Sequence, residues 1–259
     1  MRATFHRLHP FVRATLSMVM GLGLVASSSV AKGIRSNLDV KTIGTLRAII
    51  HEGRTEALAP IARVVAHPHA YGLGALGRLD GEFMVLDGRI WTSRPGDDDL
   101  VRNAPGRVDR DSVTLAVYAF VSEWRSIPIT RPIPLSAIGD TLAARAGALG
   151  LPSAGPFPFL IEGVVDSLQW HVADGRKLAP GPSTHEAHAA ASIHGTRNAA
   201  TVTLLGFYSD HHQGVFTHHD SPVHIHALFP ADGMVGHVDG VIVRPGATLR
   251  FPVGYRRGA

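Results

Sequence analysis

The stretch "HIHALFPADGMVGHVDG", residues 224–240, carries His224 and His226 as His-x-His and a third histidine, His237, eleven residues on. Side chains alternate between faces along an extended strand, so His224 and His226 point the same way. The intervening "ALFPADGMVG" has the Pro, Asp and Gly of a turn, and a hairpin there returns His237 beside the other two. Three neutral imidazoles suit Zn²⁺ and leave coordination positions open for water or substrate. A closed structural zinc site wants four protein ligands, so three histidines lean towards catalysis. The spacing alone leaves other readings open. Seven of the chain's 16 histidines lie between His211 and His237, and a solvated histidine face produces the same pattern by chance. A cupin-type site also uses His-x-His and a later His, usually with Glu four residues past the second His, where this chain has Pro230.

Composition narrows the chemistry. The chain has no cysteine, which excludes disulfides, thiolate catalysis and zinc–thiolate sites and leaves His, Asp, Glu or water to hold a metal. The 259 residues, 45% hydrophobic and 18% charged, are those of a globular protein with a substantial core. The first 31 residues form a segment of their own, with Arg2, Arg7 and Arg13 and no acid, an apolar run from Ala14 to Ala26, and Ser29-Val30-Ala31 before Lys32. That is the layout of a signal peptide, too short in its apolar part for a membrane span. The sequence therefore predicts an exported chain with a mature domain over 32–259 and no membrane attachment after cleavage. Losing three arginines from a net charge of +4 leaves about +1, which removes the electrostatic support for a nucleic-acid partner.

The elements that must position the histidines are short. Apolar spacing predicts helical turns at Leu46, Ile49 and Ile50, and again at Ile61, Val64 and Val65 behind Pro60. Asp80-Gly81 and Asp87-Gly88 each lie between apolar runs and predict β-hairpins. "SVTLAVYAFV", residues 112–121, reads as a buried strand, and Leu135 to about Leu149 as a helix. "PFPFLIEGVVDSLQWHV", residues 156–172, reads as two strands turning at Asp166-Ser167. Residues 173–198, rich in Ala, Pro, Gly and His, read as a loop with one short helix, and "ATVTLLGFYS" restarts β structure. The class is α+β, with mixed or antiparallel sheets and a few helices. It divides into an N-terminal part over about 40–150 and a metal-binding C-terminal part over about 151–259. "HPHA", residues 67–70, reads as surface or as support behind the site, and not as a ligand. The glycines of "GLGALG" precede a hairpin and not a helix, so no dinucleotide site is expected.

These pieces, taken in order, resemble the α-acetolactate decarboxylase family from about Ile43 onward. "YGLGALGRLDGEFMVLDGRIW" is similar to its glycine-rich turn and Leu-Asp-Gly-Glu hairpin, "SVTLAVYAF" to its buried strand, "GFYSDHH" to an upstream Gly-Phe segment, and "HIHALFPADGMVGHV" keeps its histidine spacing without a gap. The resemblance implies a zinc-dependent lyase, acting as a dimer on a small 2-hydroxy-3-keto acid and converting 2-acetolactate to acetoin and CO₂. It implies His224, His226 and His237 as metal ligands and Glu82 as an active-site acid that delivers or relays a proton. Loss of CO₂ leaves an enediolate, whose charge a Lewis-acidic metal stabilises.

Two positions depart from the family pattern. An arginine able to hold the substrate carboxylate is expected eight residues after Gly163, and the chain has His171 there, which gives a weaker and pH-dependent grip. Arg176, five residues on, is the nearest substitute. The family's C-terminal glutamate also has no counterpart, because no acid follows Asp239. Three hypotheses follow: a decarboxylase acting through His171, Glu82 and the three histidines; a non-catalytic or substrate-shifted metal-binding protein on the same scaffold; and a cupin-like metalloenzyme.

Overall fold

The structure is a computed structural model and describes residues 38–253; the expected signal segment at 1–31 lies outside the described residues. Two antiparallel sheets carry the fold. The first has strands β1 (Lys41–Ile43), β2 (Ala70–Ala75), β3 (Glu82–Leu86), β4 (Arg89–Pro95), β5 (Val101–Pro105) and β6 (Ala116–Phe120), in the order β1-β6-β2-β3-β4-β5. The Asp87-Gly88 turn closes β3 on β4 with Leu86 opposite Arg89. Both turn residues have positive φ, 48° and 78°, which is the conformation that a two-residue hairpin requires and that Asp-Gly supplies. The Asp80-Gly81 signal is realised differently. Residues Gly77–Leu79 form a 3₁₀ turn between β2 and β3, with Arg78 and Leu79 at positive φ.

The second sheet contains β7 (Trp124–Pro128), β8 (Ile133–Pro134), β9 (Phe157–Val172), β10 (Ile193–Tyr208), β11 (Val223–Phe229), β12 (Met234–Val243) and β13 (Thr248–Pro252), in the order β8-β12-β11-β10-β9-β13-β7. An additional β12–β9 pairing closes β9, β10, β11 and β12 into a ring. The expected pair of strands over 156–172 is one 16-residue strand, and the expected loop ends at Ser192, because Ile193–Asn198 already pairs with β9. Asp166-Ser167 makes a bulge in place of a turn, with a register shift against β12 between Val165 and Ser167. Asp166 there forms an ion pair with Arg244. Such a bulge bends a strand without ending it.

Helix α1 (Leu46–Glu52) begins at Thr45, whose hydroxyl accepts from Ala48 N, and ends at Gly53 in the left-handed conformation. Helix α2 (Leu135–Ala146) buries Ile138, Leu142 and Ala146 in the main core. The helical turn expected after Pro60 is a 3₁₀ turn over Ile61–Arg63. Helix α3 (His185–Ala191) lies in the connection between β9 and β10, with Thr184 as its N-cap.

Strand alternation sets the layers. Along β3, Phe83 and Val85 join Ile61, Val64 and Tyr118 in a core on the outer side of the first sheet. Met84 joins the main core between the sheets, with Leu73, Phe159, Phe207 and Ile225. Glu82 shares the parity of Met84, so the pleat aims its carboxylate at the second sheet.

Candidate metal centre

The hairpin of β11 and β12 brings the three histidines of the opening motif together. His226 lies directly opposite His237 in register, and His224 lies two residues back on the same face. Their ring centroids are 5.1 Å (His224–His226), 4.9 Å (His224–His237) and 5.5 Å (His226–His237) apart. One ligand atom from each lies within 4.8 Å of the others. The intervening loop turns at Phe229–Gly233, where the Gly233 N–H donates to the Phe229 carbonyl at 2.9 Å.

Burial fixes the chemical state of these rings. His226 is fully buried and its Nδ1–H donates to the Phe83 carbonyl at 3.0 Å. That bond selects the tautomer and leaves the Nε2 lone pair pointing inward. Nε2 has no hydrogen-bond partner, and neither does the buried Nδ1 of His224. An orphaned buried imidazole nitrogen is costly in an apolar setting unless something accepts its lone pair, and a cation does so. Burial pushes the His226 pKa down to about 3 and those of His224 and His237 well below the usual value, and the neighbouring rings add to the effect for the last two. All three are therefore neutral near pH 7, the form that ligates a metal. The residues present fit a divalent first-row ion.

Glu82 reaches the cluster from the first sheet. Its Oε2 is 3.6 Å from His226 Nε2, and its Oε1 accepts from the Ala173 N–H at 3.3 Å. Only 4% of the residue is exposed. Burial foremost, with the Asp239 charge nearby, pushes its pKa up to about 8 against the pull of the Ala173 N–H, so the carboxyl carries a proton at neutral pH. Glu82, one of the expected site residues, is placed beside the histidines.

His171 lies next to the cluster and outside the ligand triad. It stands opposite His237 on one side and opposite His194 on the other. Four histidines (His226, His237, His171 and His194) therefore face each other in a row across β11, β12, β9 and β10. The ring centroids of His171 and His237 are 4.6 Å apart, and Asp239 Oδ1 meets His171 Nδ1 at 2.7 Å. Arg176 is elsewhere: its guanidinium holds the fully buried Asp174 carboxylate at 2.8 and 2.9 Å and Asp97 at 2.7 Å. It does not line the cavity, so it cannot stand in for the expected arginine. "HPHA" is a surface feature, with His69 Nδ1 2.8 Å from Asp87.

These groups open into a cavity of about 920 Å³, whose lining includes Leu46, Ile49, Leu79, Glu82, Trp170 and His171. Among the described residues, no arginine or lysine lines it. Trp170 lies over Gly195 on the next strand, where an added Cβ would come within 2.3 Å of the indole. The sequence reading did not single out Asp239, His194, His185 or His188 as site residues. Asp239 carried one signal, its position two residues after His237. His194 carried none, because its place depends on the long β9–β10 pairing.

The profile of the family described as alpha-acetolactate decarboxylase matches residues 42–251. The chain belongs to this family. Among solved structures, an acetolactate decarboxylase from Bacillus subtilis subspecies spizizenii has a TM-score of 0.67 at 16% identity, covering 84% of this chain and 88% of that one. The enzyme from Bacillus subtilis strain 168 has a TM-score of 0.62 at 15% identity, covering 84% and 87%. A Staphylococcus aureus protein of unknown function, similar to alpha-acetolactate decarboxylase, has a TM-score of 0.63 at 16% identity, covering 82% and 84%. No curated protein matches the chain. The fold is that of these decarboxylases, which removes the cupin-like alternative; the acid beside the histidines comes from a separate sheet and not from the histidine hairpin.

Proposed function

We propose that the chain is a metal-dependent decarboxylase that converts 2-acetolactate, or a closely related 2-hydroxy-3-keto acid, to the hydroxyketone and CO₂. The observation that carries this reading is the buried Glu82 carboxyl 3.6 Å from His226, at the meeting point of two sheets and facing a cavity. His224, His226 and His237 would hold the metal, and three neutral imidazoles without a thiol favour zinc. When bound, the ion supplies a Lewis acid for the oxygens of the substrate.

The protein's own groups do the rest. The apolar wall of Leu46, Ile49 and Leu79 accommodates the methyl groups and keeps water from the reacting carbon. The bond between the carboxyl carbon and its neighbour breaks, and its electron pair moves towards the adjacent ketone oxygen. Glu82, held through Oε1 by the Ala173 N–H, then gives its proton to the carbon that lost CO₂. His171 lines the same cavity, with its Nδ1 2.7 Å from Asp239 Oδ1. Export is part of the proposal and rests on the basic and apolar residues of segment 1–31.

A second reading, a metal-binding protein without turnover, is favoured by one observation: among the described residues, no arginine or lysine lines the cavity to hold a carboxylate permanently. An acetoin assay on the purified chain separates the two. Acetoin formed from 2-acetolactate, lost on chelation and restored by zinc, supports the decarboxylase. Activity that survives chelation, or metal binding without acetoin, sinks it.

A further inference from the structure

Beyond the inner triad, a second group of potential ligands lies on the same sheet: His171, His194 and Asp239, whose donor atoms all fall within 4.8 Å of one another. These two are the His/Asp/Glu groupings of this kind among the described residues. The second is open to the cavity, with His171 22%, Asp239 34% and His194 47% exposed at the side chain. We propose that it is a second divalent-cation site, taking zinc or a similar first-row ion beside the inner centre.

Three observations carry the proposal. First, the fold brings the donors together through backbone pairing and not through flexible loops. His171 and His194 are directly opposed on β9 and β10, and Asp239 sits at a bulge of β12, where the register shifts between Gln169 and Trp170. Bulges of this kind re-aim a side chain beside a site.

Second, the tautomer of His194 is set from outside the group. Its Nε2 meets the Ala189 carbonyl at 2.7 Å, so Nε2 carries the proton and donates it. In the neutral ring Nδ1 is then a bare lone pair, and it faces Asp239 Oδ2 at 3.8 Å. Two acceptors facing each other at that separation are not hydrogen-bonded; an ion between them satisfies both. At the inner centre a ring is likewise pinned from outside, His226 through Nδ1 to the Phe83 carbonyl.

Third, the spacing suits coordination. Ligands on one tetrahedral zinc, with bonds of about 2.0–2.1 Å, lie roughly 3.4 Å apart. The Asp239 carboxylate lies 3.8 Å from His194 Nδ1, near that value, while its 2.7 Å contact with His171 Nδ1 is a hydrogen bond donated by the ring. Two imidazoles and one carboxylate form a common zinc donor set with positions left for water. The two centres are neighbours in the row of opposed histidines, joined at His237 and His171, whose rings are 4.6 Å apart.

The inference concerns metal stoichiometry and does not depend on the reaction proposed above, so a failed acetoin assay leaves it standing. The test is equilibrium dialysis of the full, tag-free, chelator-stripped chain against Zn²⁺, with Co²⁺ absorption spectra as a second readout. His171 touches the inner cluster, so the variants are His194→Ala and Asp239→Asn, with His211→Ala as a control for surface histidines. Wild type should bind two equivalents. Both site variants should bind one, with the Co²⁺ spectrum of the first equivalent unchanged, and the control should keep two. A single equivalent in wild type, two equivalents surviving in His194→Ala, or loss of one in the control would each overturn the proposal.

Discussion

The inner and outer histidine clusters share one sheet, one cavity and one design, a ring pinned by a backbone carbonyl with its other nitrogen facing an acidic side chain. They differ in solvent. His224 and His226 are buried and their pKa values fall, so the inner rings stay neutral without a partner charge. The outer cluster keeps its carboxylate, Asp239, partly in water. Burial also divides the acids. Glu82, enclosed between the sheets, holds a proton up to about pH 8 and can donate it, whereas an acid open to water is better suited to balance a charge. Desolvation thus turns similar residue types into a proton donor with neutral ligands in one place and a charge-balancing group in the other.

The largest expected effect comes from the inner cluster. His226→Ala removes a proposed ligand and the hydrogen bond to Phe83, so zinc affinity should fall by more than the roughly 100-fold that loss of a supporting partner costs. Acetoin formation should disappear with it, as read by metal analysis and product assay. If His226→Ala keeps its zinc, the two clusters do not differ as described. Glu82→Gln should retain zinc while kcat drops by about 10²–10⁴, the usual contribution of a positioned proton donor. Loss of zinc in this variant would make Glu82 a ligand and not an acid.

The pH dependence of the metal-free protein should separate the two kinds of buried group. Histidine pKa values are lowered in the fold, so their contribution to stability is present above about pH 6.5 and is lost as pH falls towards the folded values. Glu82 acts in the opposite sense. Its folded pKa is raised from 4.5 to about 8, so its contribution is full below pH 4.5 and is lost as pH rises to about 8. Denaturant titrations should show stability rising to near pH 6.5 and then declining towards pH 8. Glu82→Gln should flatten the decline; a decline of unchanged slope in that variant would contradict the assignment. The smallest effect is expected at the outer cluster. Asp239→Asn should leave the inner zinc in place and weaken only the more readily chelated equivalent, as measured by the order of zinc release.

How much of this the sequence discloses depends on the range of each interaction. The His-x-His face and the return of His237 follow from strand alternation and a turn of Pro, Asp and Gly, all local, and the structure agrees in register. The resemblance of the Leu-Asp-Gly-Glu hairpin pointed to Glu82, and the pleat aims its carboxylate inward, on the same side as Met84. What was not legible depends on partners far along the chain. Asp166-Ser167 carries a turn signal, but pairing on both sides keeps β9 continuous and reduces the turn to a bulge. The stretch before Asn198 has the composition of a loop, yet Ile193–Asn198 is held as strand by β9. His194 and Asp239 become neighbours only through that pairing. Arg176 has the right charge for a substrate anchor, but its five donors are directed to the buried Asp174 and to the loop at Gly96-Asp97.

The central claim is that His224, His226 and His237 form one metal centre beside a protonated Glu82. Anomalous diffraction at the zinc edge from crystals of the zinc-loaded chain tests it most directly. The account predicts a peak within about 2.0–2.1 Å of one nitrogen on each of the three rings, with the Glu82 carboxyl alongside. A zinc-loaded crystal with no anomalous peak among these three histidines would contradict it.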